Sequence, residues 1–242
     1  MVSREEALAA IAEAPTTVEF RAAALDPNAT IYRSGGGLLY VVGSQRLVGA
    51  LGHVRAEHVT ALYEQRELSA ELLADEAAYP RLRDLCQFER AVIQTRSGPW
   101  KPATAVEGLL IRRLTPNDSL EHVPAELRDE LAVAPEPESV FAGFLDGVAV
   151  SFAYACASEN LFDIAIETLA DYQRRGIAAA VVSTMIEHYL AQGKQPVWGA
   201  RVDNTPSLRL AAKLGFRTPA GTLYVAEEPF ATAGPADPPS SD

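Results

Sequence analysis

The chain is short of cysteine, of histidine and of long apolar runs, and each shortage removes a class of function. Its two cysteines, Cys86 and Cys156, stand in no Cys-x-x-Cys pair. They build no disulfide framework and suit a reducing compartment. The four histidines, His53, His58, His122 and His188, show no metal-ligand spacing, so no metal is expected. No apolar run reaches the roughly 18–20 residues that a membrane helix needs, so no membrane is expected. Met1-Val2-Ser3-Arg4-Glu5-Glu6 carries charges where a signal peptide needs an apolar stretch, and a cytoplasmic location is the expectation. No phosphate loop ending in Lys-Ser/Thr, no Gly-x-Ser-x-Gly and no strip of basic and aromatic residues for RNA is found.

What is present is an ordinary folded composition, 48% hydrophobic over 242 residues, long enough for one large domain or two small ones. The charge is uneven. Residues 1–105 carry 11 Lys+Arg and 13 Asp+Glu, a net of −2, whereas residues 106–242 carry 10 and 19, a net of −9. This balance speaks against nucleic acid as a partner and for a cationic one such as an amine, although acidity also serves solubility.

The first half reads with few motifs. Residues 3–25 suggest a helix interrupted at Pro15. Leu38–Val42 and Leu47–Leu51 are two apolar runs separated by Gly43-Ser44-Gln45-Arg46, as in a hairpin or a strand followed by a turn. Gly35-Gly36-Gly37 reads as a flexible loop, and residues 56–92 as mostly helical, with Leu62, Leu68, Leu72, Leu73, Leu82 and Leu85 facing a core. Ser97–Pro102 is a turn cluster and the expected linker.

The second half is more legible. Leu109–Leu114 is a strand, 116–131 a helical region broken at Pro124, and Ser139–Cys156 a hairpin about the Asp146-Gly147 turn. Leu161–Thr168 follows as a strand, 176–191 as a helix with an apolar stripe at Ala178, Val181, Val182, Met185, Ile186 and Tyr189, and 196–202 as a strand. A short helix has Thr205 as N-cap, Pro206 at its first position and Gly215 past its end, before a last strand at Leu223–Val225. The tail, 229–242, reads as disordered.

Tyr172-Gln173-Arg174-Arg175-Gly176-Ile177-Ala178 is the most informative stretch, because it joins an apolar strand to an amphipathic helix. A helix start offers unpaired N–H groups and a partial positive charge, and glycine lets a ligand approach the backbone. That pattern suits a pyrophosphate. Further on stands Asn204-Thr205-Pro206-Ser207, ending in Lys213-Leu214-Gly215-Phe216. With both motifs in order, the chain resembles the GNAT superfamily of acyl-CoA-dependent N-acyltransferases over roughly residues 107–228. Gln173, Gly176 and Ala178 match the Gln/Arg-x-x-Gly-x-Gly/Ala signature, and Asn204 with Lys213–Phe216 matches the second motif. Ile164–Thr168 and Pro196-Val197-Trp198 look like a bacterial group within it.

The resemblance implies an α/β (α+β) GNAT fold with a central mixed sheet at 106–228, preceded by a smaller α/β region at 1–105. That first region is left open between a reduced copy of the same fold and a lid. The resemblance also implies an acetyl group passing from acetyl-CoA to a primary amine, on a small molecule or peptide, by direct transfer in a ternary complex. A non-catalytic acyl-CoA-binding module is the rival, and a homodimer is compatible with either. The implied coenzyme contacts are Ile166, Glu167 and Thr168 on the strand, Gln173, Arg174, Arg175, Gly176, Ile177 and Ala178 in the loop, and Asn204 and Ser207 beyond.

Asp163 and Glu167 are four apart on one strand and so share a face. The family often uses an acid there to receive the amine proton, and Glu167 is favoured. The family's last-helix tyrosine falls on Ala211, which leaves Tyr224 or Tyr189 as acid candidates, both also read as core aromatics. Cys156 reads as inert, His188 as surface and Trp198 as core.

Overall fold

The computed structural model describes residues 1–43, 46–66, 68, 70–132, 139–227 and 230. The expected tail therefore lies outside the described residues apart from Phe230. The first half runs Arg4–Ala10 (α1), a 3-10 turn at Pro15–Thr17, Val18–Leu25 (α2), Thr30–Ser34 (β1), Gly36–Val42 (β2), Leu47–His53 (β3), Ala56–Arg66 (α3), Glu71–Asp75 (β4), Tyr79–Leu82 (α4) and Glu89–Arg96 (β5). The second runs Leu110–Arg113 (β6), Ala125–Ala132 (α5), Phe141–Leu145 (β7), Val148–Ala157 (β8), Leu161–Thr168 (β9), Ile177–Ala191 (α6), Gln195–Arg201 (β10), Thr205–Lys213 (α7) and Phe216–Ala226 (β11).

All these strands join one mixed sheet in the order β1-β2-β3-β4-β11-β5-β10-β9-β8-β7-β6. The order reads alike from both ends. In the first half β2 and β3 are antiparallel, α3 crosses over, and β4 lies parallel to β3. In the second half β8, β9, α6 and β10 repeat the arrangement. Each half then sends its last strand into the other: β11 lies between β4 and β5, and β5 between β11 and β10. The first half thus repeats part of the strand and helix arrangement of the second. The boundary expected at 105–106 falls between β5 and β6, and the sheet runs across it.

The sheet is strongly curled. An eight-residue helix such as α2 is about 12 Å long, yet α2 packs against β2 on one side and β8 and β9 on the other. Laid flat, those strands would stand roughly 30 Å apart at the usual strand spacing. The trough so formed is filled by α1 and α2 over Phe20, Tyr40, Leu73, Ile93, Val197 and Leu223, and α5 continues this concave side over Val140 and Phe152. On the convex side α3 and α4 cover Leu39, Val41 and Leu72. There α6 and α7 cover Phe162, Ile164, Trp198 and Phe216. Trp198 is a core residue, as expected, at 1% exposure.

Several local expectations are corrected. Residues 56–92 are not mostly helical, because β4 and the start of β5 fall within them. Leu72, Leu73 and Leu82 are nonetheless buried, and Leu62, Leu68 and Leu85 pack around Leu72 and Leu82. The glycine loop at 35–37 is a single turn at Gly35, after which Gly36 and Gly37 are strand residues. A Cβ on Gly37 would stand 2.3 Å from the Leu51 carbonyl oxygen, so the glycine serves strand approach rather than flexibility. The helical region at 116–131 is helix only from Ala125. The last strand is much longer than expected and begins at Phe216. The N-cap of α7 is Asn204, whose Oδ1 accepts from the Ser207 N–H at 3.1 Å, and Thr205 is the first helical residue. The Asp146-Gly147 hairpin turn is present, with both residues at positive φ (51° and 81°).

Candidate active site

Between β9 and α6 the chain makes a tight loop. Arg174 and Gly176 take left-handed φ of 60° and 82°, a sequence of turns that gathers N–H groups into a concave, anion-attracting nest. The Gln173 side chain donates to the Thr168 carbonyl at 3.0 Å and ties the loop to the strand end. Ser151, fully buried on β8, donates to the Glu167 carbonyl at 3.2 Å and pairs with the Thr168 hydroxyl at 2.7 Å, which fixes that end from the other side. Gly176 is the N-cap of α6 and no side chain caps this end, so its first N–H groups stay available to a ligand.

The second element is a fork in the sheet. β10 pairs with β9 only through Gln195↔Leu161, Pro196↔Phe162 and Val197↔Asp163. Beyond Asp163 the two parallel strands diverge while β9 continues to Thr168. At the vertex Asp163 Oδ1 accepts the Gly199 N–H at 2.9 Å and the Ile164 N–H at 3.0 Å. The cleft on the convex side has a volume of about 580 Å³. Its floor is Ile166, Glu167 and Thr168, its end wall the loop from Tyr172 to Ala179, and its side wall α7 from Asn204 to Lys213. The wall is braced from within, since the Trp198 Nε1–H donates to Ser207 Oγ at 3.0 Å. Arg174, Arg209 and Lys213 all line the cleft and make it cationic.

The opposite, concave mouth of the fork is acidic. Asp163, Glu167 and Tyr154 lie on that face, by the pairing of β8 with β9. Loss of hydration raises the Asp163 pKa, while the Gly199 and Ile164 N–H groups pull it back down. Burial also raises Glu19 of α2, next the Asp163 charge and then that of Glu71, and Glu19 is hydrogen-bonded to Asp163. Glu167 is exposed but raised, by desolvation first and by Glu130 second. Glu130 accepts a short hydrogen bond from the Tyr154 hydroxyl.

Most residues implied by the family resemblance therefore meet at one place. Ile166, Glu167, Thr168, Gln173, Arg174, Gly176, Ile177, Ala178, Asn204 and Ser207 all line the cleft. Arg175 does not, and its guanidinium lies 5.5 Å from the Tyr172 ring centre. Tyr224 is not brought to the cleft but stacks on Tyr79 at 3.6 Å, in the core under α3 and α4. Tyr189 stacks on Phe162 at 4.5 Å. His188 is at the surface, beside Arg113 and Gln192. The Cys156 thiol is pushed well above its usual pKa by burial and by the charges of Glu19 and Asp163, the opposite of what a nucleophile needs.

Sequence reasoning missed Arg209 and Lys213, whose i, i+4 spacing on α7 was a readable sign of one shared face. It also missed Glu19, whose partner is brought to it by the curl of the sheet. Among the described residues no group of His, Cys, Asp and Glu is placed to hold a metal.

This geometry is that of a known family. Residues 146–222 match the model described as GNAT acetyltransferase. The fold is shared with a GCN5-related N-acetyltransferase-like protein of Streptococcus suis, at TM-score 0.64 and 18% identity over 86% of this chain and 92% of that one. It is shared as well with a GCN5-related N-acetyltransferase of Kribbella flavida, at 0.63 and 12% over 89% and 95%. A tandem GNAT protein from the clavulanic acid biosynthesis pathway matches at 0.55 and 15%, over 93% of both chains. In sequence the second half of the chain is thus similar to GNAT acetyltransferases, and the chain shares their fold. A relative in Bacillus subtilis, the uncharacterized N-acetyltransferase YdfB, is 29% identical over 60% of this chain, and the match spans 59% of its own length.

Proposed function

We propose that the protein moves an acetyl group from acetyl-CoA to a primary amine by direct transfer within a ternary complex. The observation that carries this reading is the uncapped start of α6, set at the end of a cationic cleft whose floor is the open arm of a strand fork.

The residues fit the donor. The N–H groups of Gly176, Ile177 and Ala178 would hold the pyrophosphate, with Arg174, Arg209 and Lys213 supplying charge. The β9 edge beyond Asp163 lacks β10 as a partner, and apart from the Ile164 N–H and the Thr168 carbonyl, which Asp163 and Gln173 engage, its main-chain groups would pair with the pantetheine amides as an added strand would. An N–H on that edge would polarise the thioester carbonyl. The amine then enters from the concave side, where the acids attract it, and an acid of β9, Asp163 or Glu167, receives its proton. The raised Cys156 pKa disfavours an acyl-cysteine intermediate, which supports direct transfer.

One observation favours the second reading, a non-catalytic acyl-CoA-binding module. Ala211, fully buried, occupies the α7 position where the family often has an acid. Calorimetric titration with acetyl-CoA, followed by a thiol-release assay over an amine panel, separates the two. Binding with turnover supports the transferase, binding without turnover on any amine supports the module, and no binding removes both.

A further inference from the structure

The segment between β5 and β6, which joins the two halves, is a strap laid along α6. From Trp100 to Leu109 every third residue, Trp100, Ala103, Val106 and Leu109, packs against the core that holds Ile177, Val181 and Met185, and the residues between them are exposed. A period of three is that of a polyproline II chain, and Pro99 and Pro102 favour it. Three contacts set the register. The Trp100 Nε1–H donates to Glu187 Oε1 at 3.3 Å, and the Ala103 N–H donates to the buried Ser183 Oγ at 2.9 Å. Val106 Cγ2 lies 3.6 Å from where a Cβ on Gly176 would stand. The lengths agree, since Trp100 to Val106 spans about 19 Å at the polyproline II rise and Gly176 to Glu187 about 16 Å of helix. The strap therefore runs antiparallel to α6 and ends on the Gln173–Ala178 loop. At its other end Arg96 of β5 donates to the Leu214 carbonyl at 3.1 Å and to the Pro99 carbonyl at 3.0 Å, and lies 4.6 Å from the Trp100 ring centre. Leu214 is the C-cap of α7, so the same arginine also grips the opposite wall of the cleft.

Resting on the reading of this loop as the pyrophosphate site, we infer that Val106 is a positioning residue for the coenzyme, held in place by the strap. Glycine is free to leave the left-handed region, and Gly176 has no side chain of its own to restrict it. The Gln173 side chain holds one flank of the loop through the Thr168 carbonyl. Val106 holds the other flank by filling the space beside Gly176. It does not line the cleft, so it acts through Gly176 and not by touching the ligand. With the loop held, the N–H groups face the anion before it arrives, and binding need not order them. Ser183 pins the strap midway and acts through Val106 in turn. Because the strap starts from β5, the first half bears on coenzyme binding through the linker.

The test uses the full-length protein and acetyl-CoA. In calorimetric titration Val106→Ala is expected to weaken binding by on the order of three- to tenfold, and Val106→Ile to bind like wild type. In the thiol-release assay the loss should fall on KM for acetyl-CoA, with kcat at saturation unchanged. A role in stability alone would lower the unfolding temperature and leave the affinity of the folded protein untouched, and that outcome overturns the inference. A fall in kcat with KM unchanged overturns it as well. Ser183→Ala removes the pin without touching the loop and is expected to weaken binding in the same direction, by less. Should Val106→Ala fail to fold, wild-type affinity in Ser183→Ala overturns the inference. The titration needs no turnover, so it reads the strap in a transferase and in a binding module alike. Equal affinity in wild type and Val106→Ala strikes the strap alone, whereas a wild-type protein that binds no acetyl-CoA removes the pyrophosphate site and the inference with it.

Discussion

Asp163 Oδ1 accepts the Gly199 N–H at 2.9 Å, and a methyl group added to Gly199 would stand 3.0 Å from Oδ2 of the same carboxyl and 3.3 Å from Ile93 Cδ1. The glycine thus makes room for the acid at the point where β9 and β10 separate. Gly199→Ala is expected to cost about 1–3 kcal/mol of stability through overpacking. Because the carboxyl must move, turnover should fall by on the order of tenfold. Calorimetry with acetyl-CoA should show little change, since the cleft lies on the other face. Wild-type turnover in this variant would show that the carboxyl's place does not matter.

Gly176 separates strain from charge. A Cβ there meets only Val106 Cγ2, at 3.6 Å, so alanine has space but must take a φ near 82°. Gly176→Ala is expected to lose about 1–2 kcal/mol of stability and some affinity for acetyl-CoA. Gly176→Glu would place a negative charge among the N–H groups and is expected to abolish binding. Retained binding by the glutamate variant would remove the loop as the phosphate site.

Asn204 has two roles that substitution can divide. As the N-cap of α7 it holds the cleft wall, so Asn204→Ala should cost about 1 kcal/mol. Asn204→Asp keeps the cap but adds charge beside the anion site. Stability close to wild type with weaker acetyl-CoA binding is the expected outcome, read by thermal unfolding and calorimetry. Equal affinity in both variants and wild type would leave the residue a cap alone.

The two acids of β9 should differ. Glu167 is exposed and lies beside Glu130, whereas Asp163 is braced by two N–H groups. Glu167→Gln is expected to lower turnover only a few-fold, and Asp163→Asn by on the order of a hundredfold. The reverse ranking in a pH–rate comparison would return the proton to Glu167.

Acid should loosen the joint between α1–α2 and the β8–β9 turn. Burial raises the Glu13 pKa, but donors from the Ser158 hydroxyl and from the Asn160 main chain and side chain, with the Arg21 charge, outweigh it and hold it at about 2. A carboxyl lowered from 4.5 contributes its full stability above that pH and loses it as the pH falls through about 2. Glu13→Gln should therefore cost about 1–3 kcal/mol near neutrality and flatten the acid limb of urea-unfolding stability. Glu19 and Asp163 act oppositely. Their raised values leave the fold least burdened below their ordinary values, 4.5 for Glu19 and 3.8 for Asp163, and the burden grows as the pH rises.

How much of this was legible depended on distance along the chain. β9, the Gln173–Ala178 loop, α6 and the Asp146-Gly147 hairpin are set by local periodicity and turn chemistry, and the sequence shows them directly. The stretch Glu71–Asp75 misled because a short strand buried in a sheet shows no alternation and its Leu-Leu-Ala run suits a helix equally well. Asn204 and Thr205 both cap well, and only the Oδ1 contact to Ser207 distinguishes them. Glu19 carried no local sign at all, since its partner belongs to the other half.

The exchanged strands have a consequence for synthesis. While the chain is still on the ribosome, β4 and β5 are complete but the strand that belongs between them has not been made. The nascent polypeptide must carry two bare hydrogen-bonding edges, a hazard for sticking to other molecules, until its final segment slides into the gap. Truncation just before Phe216 should therefore yield aggregated material instead of a smaller working enzyme.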